Sequence, residues 1–272
     1  MDTQQKSSQK FFETHCHLDS IKGLSLEEAL AEAESVGVDK FITVTTEVGN
    51  LSSLLDIAMS HHCVYTTQGI HPHDAKNFNS ALIQNNLRLN NIHRANNCVN
   101  NKILAIGEIG LDYYYNFSSA TEQRWAFEEQ LKIASEYKLP VIIHSRDADQ
   151  EMISILKNAA PSLQRKGVLH SYSSGVELAE MALSMGFYLG FNGMITFQKA
   201  DNVRQIVEIT PIERILLETD SPYLAPVPHR GKENHPVFLP IIAEKLCAIK
   251  KIPLDEGCQQ IYQNSCHLFA VC

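Results

Sequence analysis

The stretch Glu13-Thr14-His15-Cys16-His17-Leu18-Asp19 follows the apolar pair Phe11-Phe12 and reads as the end of a buried strand carrying two histidines. Strand alternation sends the His15 and His17 imidazoles to one side, where both can grip one ion. It turns Cys16 to the other side, as packing. The same chemistry recurs downstream: His71-Pro72-His73, Glu108, His144, His170 and Glu218-Thr219-Asp220 each close a strand-like run. One histidine after a strand is ordinarily a hydrogen-bonded loop residue. Imidazoles at several strand ends, with carboxylates at others, read jointly as a metal site. Four imidazoles and two carboxylates exceed the usual complement of a catalytic zinc, about three protein ligands. They suit two divalent ions about 3.5–4 Å apart, bridged by one carboxylate. Imidazole favours Zn, Mn, Fe or Ni over Ca, and the carboxylates also admit Mg.

Such residues need a scaffold that gathers strand ends on one face. Strand-like runs fall at Phe11-Thr14, Phe41-Thr45, Val64-Gly69, Leu104-Ile109, Val141-His144, Val168-His170, Phe187-Phe191 and Ile215-Leu217. Helical patterns lie between them at Leu26-Val36, Asn50-His61, Ser80-Asn90, Thr121-Tyr137, Ala148-Lys157, Val176-Met185 and Lys199-Ile209. The clearest is Thr121-Tyr137, with Trp125, Phe127, Leu131 and Ala134 near one face. Strict alternation over this length predicts a single-domain α/β fold, a (β/α)8 TIM barrel, whose active site lies at the strands' carboxyl ends. A Pro-rich segment, Ser221 to Pro236, precedes two further helices, Val237-Lys250 and Leu254-Phe269. The Asn-rich tract from Asn85 to Asn101 reads as a frayed helix and solvent loop without a structural task.

The 272 residues fit one domain over 1–272, with residues 1–9 as a polar extension. An apolar fraction of 44% and a charged fraction of 20% are those of a globular protein. No apolar run approaches the roughly 18 residues that span a membrane, and the polar start lacks a secretory core, so a cytoplasmic monomer is expected. Seven scattered cysteines without a C-x-x-C pair argue against a disulfide framework and a thiolate zinc site. A net charge of -8 opposes bulk electrostatic capture of nucleic acid. A phosphate-bearing substrate would therefore need a local positive site, which bound metal can supply.

The chain resembles the TatD family of metal-dependent deoxyribonucleases within the amidohydrolase superfamily. The resemblance is carried by His15-x-His17-Leu18-Asp19, Gly69-Ile70-His71-Pro72-His73, Gly107-Glu108-Ile109-Gly110-Leu111-Asp112-Tyr113, Pro140 to Ala148, His170, Leu217 to Pro226, and His229-Arg230-Gly231-Lys232. It implies a distorted (β/α)8 barrel with two divalent ions, Mg, Mn or Zn. His15, His17 and Asp220 would hold the first, His144 and His170 the second, and Glu108 would bridge them. The implied reaction is hydrolysis of DNA phosphodiester bonds, exonucleolytic from the 3′ end, on single strands or frayed ends. Asp220 would accept the proton of the attacking water. His71 and His73 are assigned to the phosphate or leaving group. Arg146 could hold a phosphate bidentately, Arg230 and Lys232 form a basic spot, and Tyr113, Tyr114 and Tyr115 offer faces for base stacking. Glu233 and His235 stand where the family often has other residues, which weakens that basic spot. The rival reading is a binuclear hydrolase of an ester, amide or lactone, such as an aminoacyl ester. A metal-storage or scaffold role stands third.

Overall fold

The computed structural model describes residues 9–95 and 101–271. Eight parallel strands follow one another around a barrel in chain order. They are β1 (Phe11–Cys16), β2 (Val38–Thr43), β3 (Val64–Gln68), β4 (Ile103–Asp112), β5 (Val141–Arg146), β6 (Gly167–Leu169), β7 (Tyr188–Phe191) and β8 (Ile215–Leu217). Helices α1 (Leu26–Ser35), α2 (Leu51–Ser60), α3 (Ser80–Ala95), α4 (Ala120–Tyr137), α5 (Asp149–Ala159), α6 (Val176–Ser184) and α7 (Asp201–Ile209) separate the strands. Helices α8 (Leu239–Lys250) and α9 (Leu254–Phe269) complete the ring. The expected (β/α)8 barrel is the observed one. Among the described residues, no helix is long and apolar enough to cross a membrane.

Closure between β1 and β8 is irregular, because side chains stand in for part of the ladder. The Glu13 carboxylate accepts the Thr219 N–H at 2.9 and 3.1 Å and the His15 N–H at 3.1 Å, while Thr14 Oγ donates to the Leu217 carbonyl at 2.8 Å. Backbone bonds resume above them, from Asp220 N to His15 O (2.9 Å) and from His17 N to Ser221 O (2.8 Å). Those two bonds fix the spacing of His15, His17 and Asp220. At the other end of the barrel, Phe12, Ile42, Leu104, Ile142 and Leu216 pack with Leu268 and Phe269 of α9 and seal the core.

Two local expectations are corrected. In α4 the buried positions are Gln123, Ala126, Phe127, Gln130, Leu131 and Ala134, a stripe spaced three and four apart, together with Ile133. Trp125 falls off that stripe, is 53% exposed, and rests edge-on against Phe78 at 5.2 Å. The Asn-rich tract is also more than decoration, since α3 continues through it to Ala95. Asn86 is buried, its amide donating to Gln68 Oε1 (2.9 Å) and to the Leu51 carbonyl (3.4 Å). Asn90 is likewise buried, and its side-chain oxygen accepts the Lys102 N–H at 3.1 Å, which ties the helix to the entry of β4. The expected loop at 96–100 lies outside the described residues. Asn86→Ala would strand the buried Gln68 Oε1, while the Leu51 carbonyl keeps Gln68 Nε2 at 2.8 Å, and should cost about 1–3 kcal/mol. A denaturant midpoint equal to that of the parent protein would contradict this role.

Candidate metal centre

Glu108 does not end β4 as the sequence suggests. It sits inside a longer strand, at a bulge. Ile106 pairs with Val141 and Ile109 with Ile143, so three residues of β4 advance against two of β5. One extra residue re-aims a side chain, and here it points Glu108 into the mouth of the barrel. The bulge is held by Glu108 N donating to the Thr45 carbonyl (2.9 Å) and by Thr45 Oγ donating to the Gly107 carbonyl (3.0 Å). Gly107 has to be glycine, because a Cβ there would stand 2.7 Å from Cβ of Ile142. Gly110, at φ +141°, passes so near β5 that a Cβ would come 2.0 Å from the His144 carbonyl oxygen.

Around the Glu108 carboxylate the imidazoles divide by oxygen. Oε2 faces His15 Nε2 at 3.4 Å; Oε1 faces His170 Nε2 at 2.7 Å, His144 Nδ1 at 3.1 Å and His71 Nε2 at 3.4 Å. Asp220 belongs to the first side, with Oδ1 3.4 Å from His17 Nε2 and 3.8 Å from His15 Nε2. Asp220 reaches that place with a left-handed backbone, φ 58°, which short polar side chains tolerate. His15 and His170 stack in parallel, 3.8 Å between centroids.

Behind these groups stand carboxylates that the sequence reading left without a role. Asp112 Oδ2 lies 3.0 Å from both His144 Nε2 and His73 Nε2, so His144 presents Nδ1 to the site. Glu218 Oε1 sits 3.7 Å from His170 Nδ1 and accepts the Ser171 N–H at 2.5 Å. Glu13 closes the seam below His15. Glu13 and Glu218 each stand two residues from a ligand candidate, a signal available in the sequence; Asp112 lies past the Leu104-Ile109 run, four residues after Glu108, and is marked only by its place in the Gly107–Tyr113 motif.

The electrostatics call for a cation. Burial pushes the Glu108 carboxyl up, but His170, His71, His144 and His15 outweigh it and hold it well below the usual range. Burial opposes charge on His170, yet Glu108 and Glu218 lift it well above its ordinary value. Burial, with the nearby Glu218 carboxylate, pushes Glu13 up to about 8 against the pull of the Thr219 and His15 donors; burial, with His144 and His73, pulls His71 down to about 4 despite Glu108. Both ring nitrogens of His15, and Nδ1 of His170, are buried without a hydrogen-bond partner. Unpaired buried polar groups are costly, and a divalent ion beside Glu108 would satisfy His15 Nε2. The sets His15–His17–Glu108 and His71–Glu108–His144 each bring three ligand atoms within 4.8 Å of one another, and Glu108 is common to both.

His17, His71, Glu108, His144, His170 and Asp220 line an open cavity of about 790 Å³ that also takes in His73, Arg146 and Lys76. The Arg146 guanidinium pairs with neither Asp147 nor Asp149; it lies 3.9 Å from the Tyr114 ring centroid and 5.0 Å from that of Tyr115. Tyr114, Tyr115, Phe117 and Tyr223 are 56%, 40%, 56% and 57% exposed around the opening. Tyr113 instead turns away and donates its hydroxyl to Glu151. Arg230 and Lys232 do not line the cavity. Arg230 stacks on Phe197 at 3.7 Å, and Glu233 ties the loop to the Lys22 and Gly23 N–H groups at 3.0 and 2.7 Å. Lys76, which the sequence did not single out, is the lysine of the cavity wall.

Fold and site together define a hydrolase barrel built to bind metal, and the comparisons agree. Residues 12–270 match the model for TatD related DNase, and the chain belongs to that family. It is 34% identical over 264 residues to the protein named "Uncharacterized metal-dependent hydrolase YcfH" of Escherichia coli, with 95% of each chain covered. It is 30% identical to "Deoxyribonuclease Tat-D" of Schizosaccharomyces pombe, over 90% of this chain and 87% of that one. The crystal structure of YjjV, a TatD homologue from E. coli, superposes with a TM-score of 0.86 at 32% identity, covering 96% and 98% of the two chains. The chain is a TatD-type metal-dependent hydrolase.

The shared position of Asp112 generates a prediction. Asp112→Asn should leave the fold intact and weaken metal binding about 10–100-fold by releasing His144 and His73. Calorimetric titration of the stripped protein checks it, and unchanged affinity would remove Asp112 from the supporting shell.

Proposed function

We propose that the protein is a two-metal deoxyribonuclease that trims single-stranded or frayed DNA from the 3′ end. The observation that carries this reading is the set of exposed aromatics Tyr115, Phe117 and Tyr223 lining the cavity of the candidate metal ligands, with exposed Tyr114 beside them against Arg146. Stacking on such faces tolerates any base and is worth about 1–3 kcal/mol per base. A small neutral ester does not need a rim of this kind.

The division of imidazoles across Glu108 supports two ions: His15, His17 and Asp220 with Oε2, and His144 and His170 with Oε1. His71, packed on the same Oε1, would stand beside the second ion, while His73, with a side chain 33% exposed, reaches the substrate. Bound divalent ions would supply Lewis acidity, acidifying water and offsetting phosphate charge in a chain of net charge -8. Asp220 takes the proton of the attacking water. His73, steadied by Asp112, protonates or binds the leaving oxygen. Arg146, braced between aromatic rings and the cavity, holds a non-bridging phosphate oxygen. Arg230 and Lys232 would then meet the strand only beyond the cavity.

The test is end-labelled single-stranded DNA, incubated with protein stripped of metal and resupplied with Mg, Mn or Zn. Shortening from the 3′ end should appear with metal and vanish in Glu108→Ala, which should lose most of its metal as well. Tyr115→Ala should raise KM for DNA roughly 5–100-fold, the equivalent of one stacked base, with kcat little changed. Hydrolysis of aminoacyl or simple esters with no cleavage of DNA under any metal would transfer the site to the ester, amide or lactone class.

A further inference from the structure

We infer that Glu34, His62 and Cys63 form a separate site for one soft divalent ion, of the Zn²⁺ class, on the face of the barrel opposite the metal centre. One ligand atom from each of the three lies within 4.8 Å of the others. Glu34 stands in the last turn of α1, just before β2, and His62 and Cys63 occupy the turn from α2 into β3. Both places are at the amino ends of strands, whereas the Glu108 cluster is at the carboxyl ends.

The carrier turn is already rigid. The Lys102 ammonium donates to the carbonyls of His61 (2.8 Å), His62 (3.1 Å) and Val64 (2.9 Å), which surround Cys63 on both sides. The Cys63 carbonyl accepts from Phe41 N at 3.0 Å, and Val64 N donates to the His61 carbonyl at 3.2 Å. A site whose backbone is fixed in advance loses less entropy when the ion arrives.

Glu34 supplies negative charge at the same spot, beside the Lys102 ammonium. Glu34 sits at the carboxyl end of α1, the negative pole of the helix dipole, and that last turn holds no basic residue. Among the described residues no lysine or arginine forms an ion pair with Glu34. Burial and the Glu34 carboxylate push the Cys63 thiol up to about 11, so the ion would displace a proton, which the neighbouring Lys102 ammonium eases. A thiolate, an imidazole and a carboxylate, with water in a fourth place, make a tetrahedral Zn²⁺ set with bonds of about 2.0–2.3 Å. Ligand atoms in such a site stand about 3.5 Å apart, so the trio needs only a small inward shift. Thiolate ligation discriminates against Mg²⁺ and Ca²⁺, which prefer oxygen. The ion would staple α1 to the β3 entry and stabilise the barrel's base by mass action.

Cobalt(II) added to the full-length, metal-stripped protein tests this, because a thiolate ligand gives a charge-transfer band in the near ultraviolet that imidazole and carboxylate ligands do not. The band should appear in the parent protein and in Cys16→Ser, disappear in Cys63→Ser, and fade when zinc but not magnesium is added. Replacing the exposed His62 with alanine, a change that leaves folding alone, should raise the cobalt concentration required by roughly tenfold or more. Absence of the band, its survival in Cys63→Ser, or an unchanged titration of His62→Ala would each overturn the site.

Discussion

A carboxylate is buried where its charged partners are imidazoles rather than lysine or arginine, and the barrel is arranged around that fact. Glu108 is 3% exposed and holds ion-pair distances to His15, His71, His144 and His170. Removing a carboxylate from water costs several kcal/mol unless opposite charge or strong donors return it. Imidazoles return it only partly, and each proton they take makes them worse ligands. Divalent metal resolves the conflict, since it leaves the imidazoles neutral and the carboxylates ionised. The β4 bulge, the absence of a side chain on Gly107 and the Thr45 bonds all serve to hold Glu108 in this position.

The surrounding carboxylates extend the same logic outward. Asp112 orients two imidazoles at once, Glu218 backs His170, and Glu13 sews β1 to β8 beneath His15. The irregular seam is therefore part of the candidate site: it spaces His15 and His17 against Asp220 after β8. A regular ladder there would not leave the Glu13 side chain room to accept both the His15 and Thr219 N–H groups. Outside this shell stand Arg146, at the end of β5, and the exposed rings of Tyr114, Tyr115, Phe117 and Tyr223.

The barrel was legible because alternating strand-like and helical runs leave few other topologies. His15, His17, Glu108, His144, His170 and Asp220 stood out because metal-binding side chains at strand ends are chemically conspicuous; all but His15 line one cavity, and His15 Nε2 is buried 3.4 Å from Glu108 Oε2. What the sequence hid was set by contacts far apart in the chain. The extension of β4 past Glu108 depends on pairing with β5, and no local pattern signals the bulge. Arg230 and Lys232 looked like part of the site by proximity to Asp220 in sequence. Their loop is instead placed by Glu233 reaching back to Lys22 and Gly23, and by Phe197 under Arg230. Trp125 shows the limit of reading a helix face by residue type, since a large apolar residue one step off the stripe stays outside. The buried Asn86 and Asn90 show the converse, polar residues kept inside to satisfy neighbouring polar groups.

The central proposal is that Glu108 would be shared by two divalent ions. Anomalous diffraction from crystals of the protein soaked in Mn²⁺ or Zn²⁺ tests it most directly. The account predicts two peaks about 3.5–4 Å apart, one beside His15, His17 and Asp220 and the other beside His144 and His170, with Glu108 touching both. A single peak, or two peaks of which one lies beyond reach of Glu108, would contradict it.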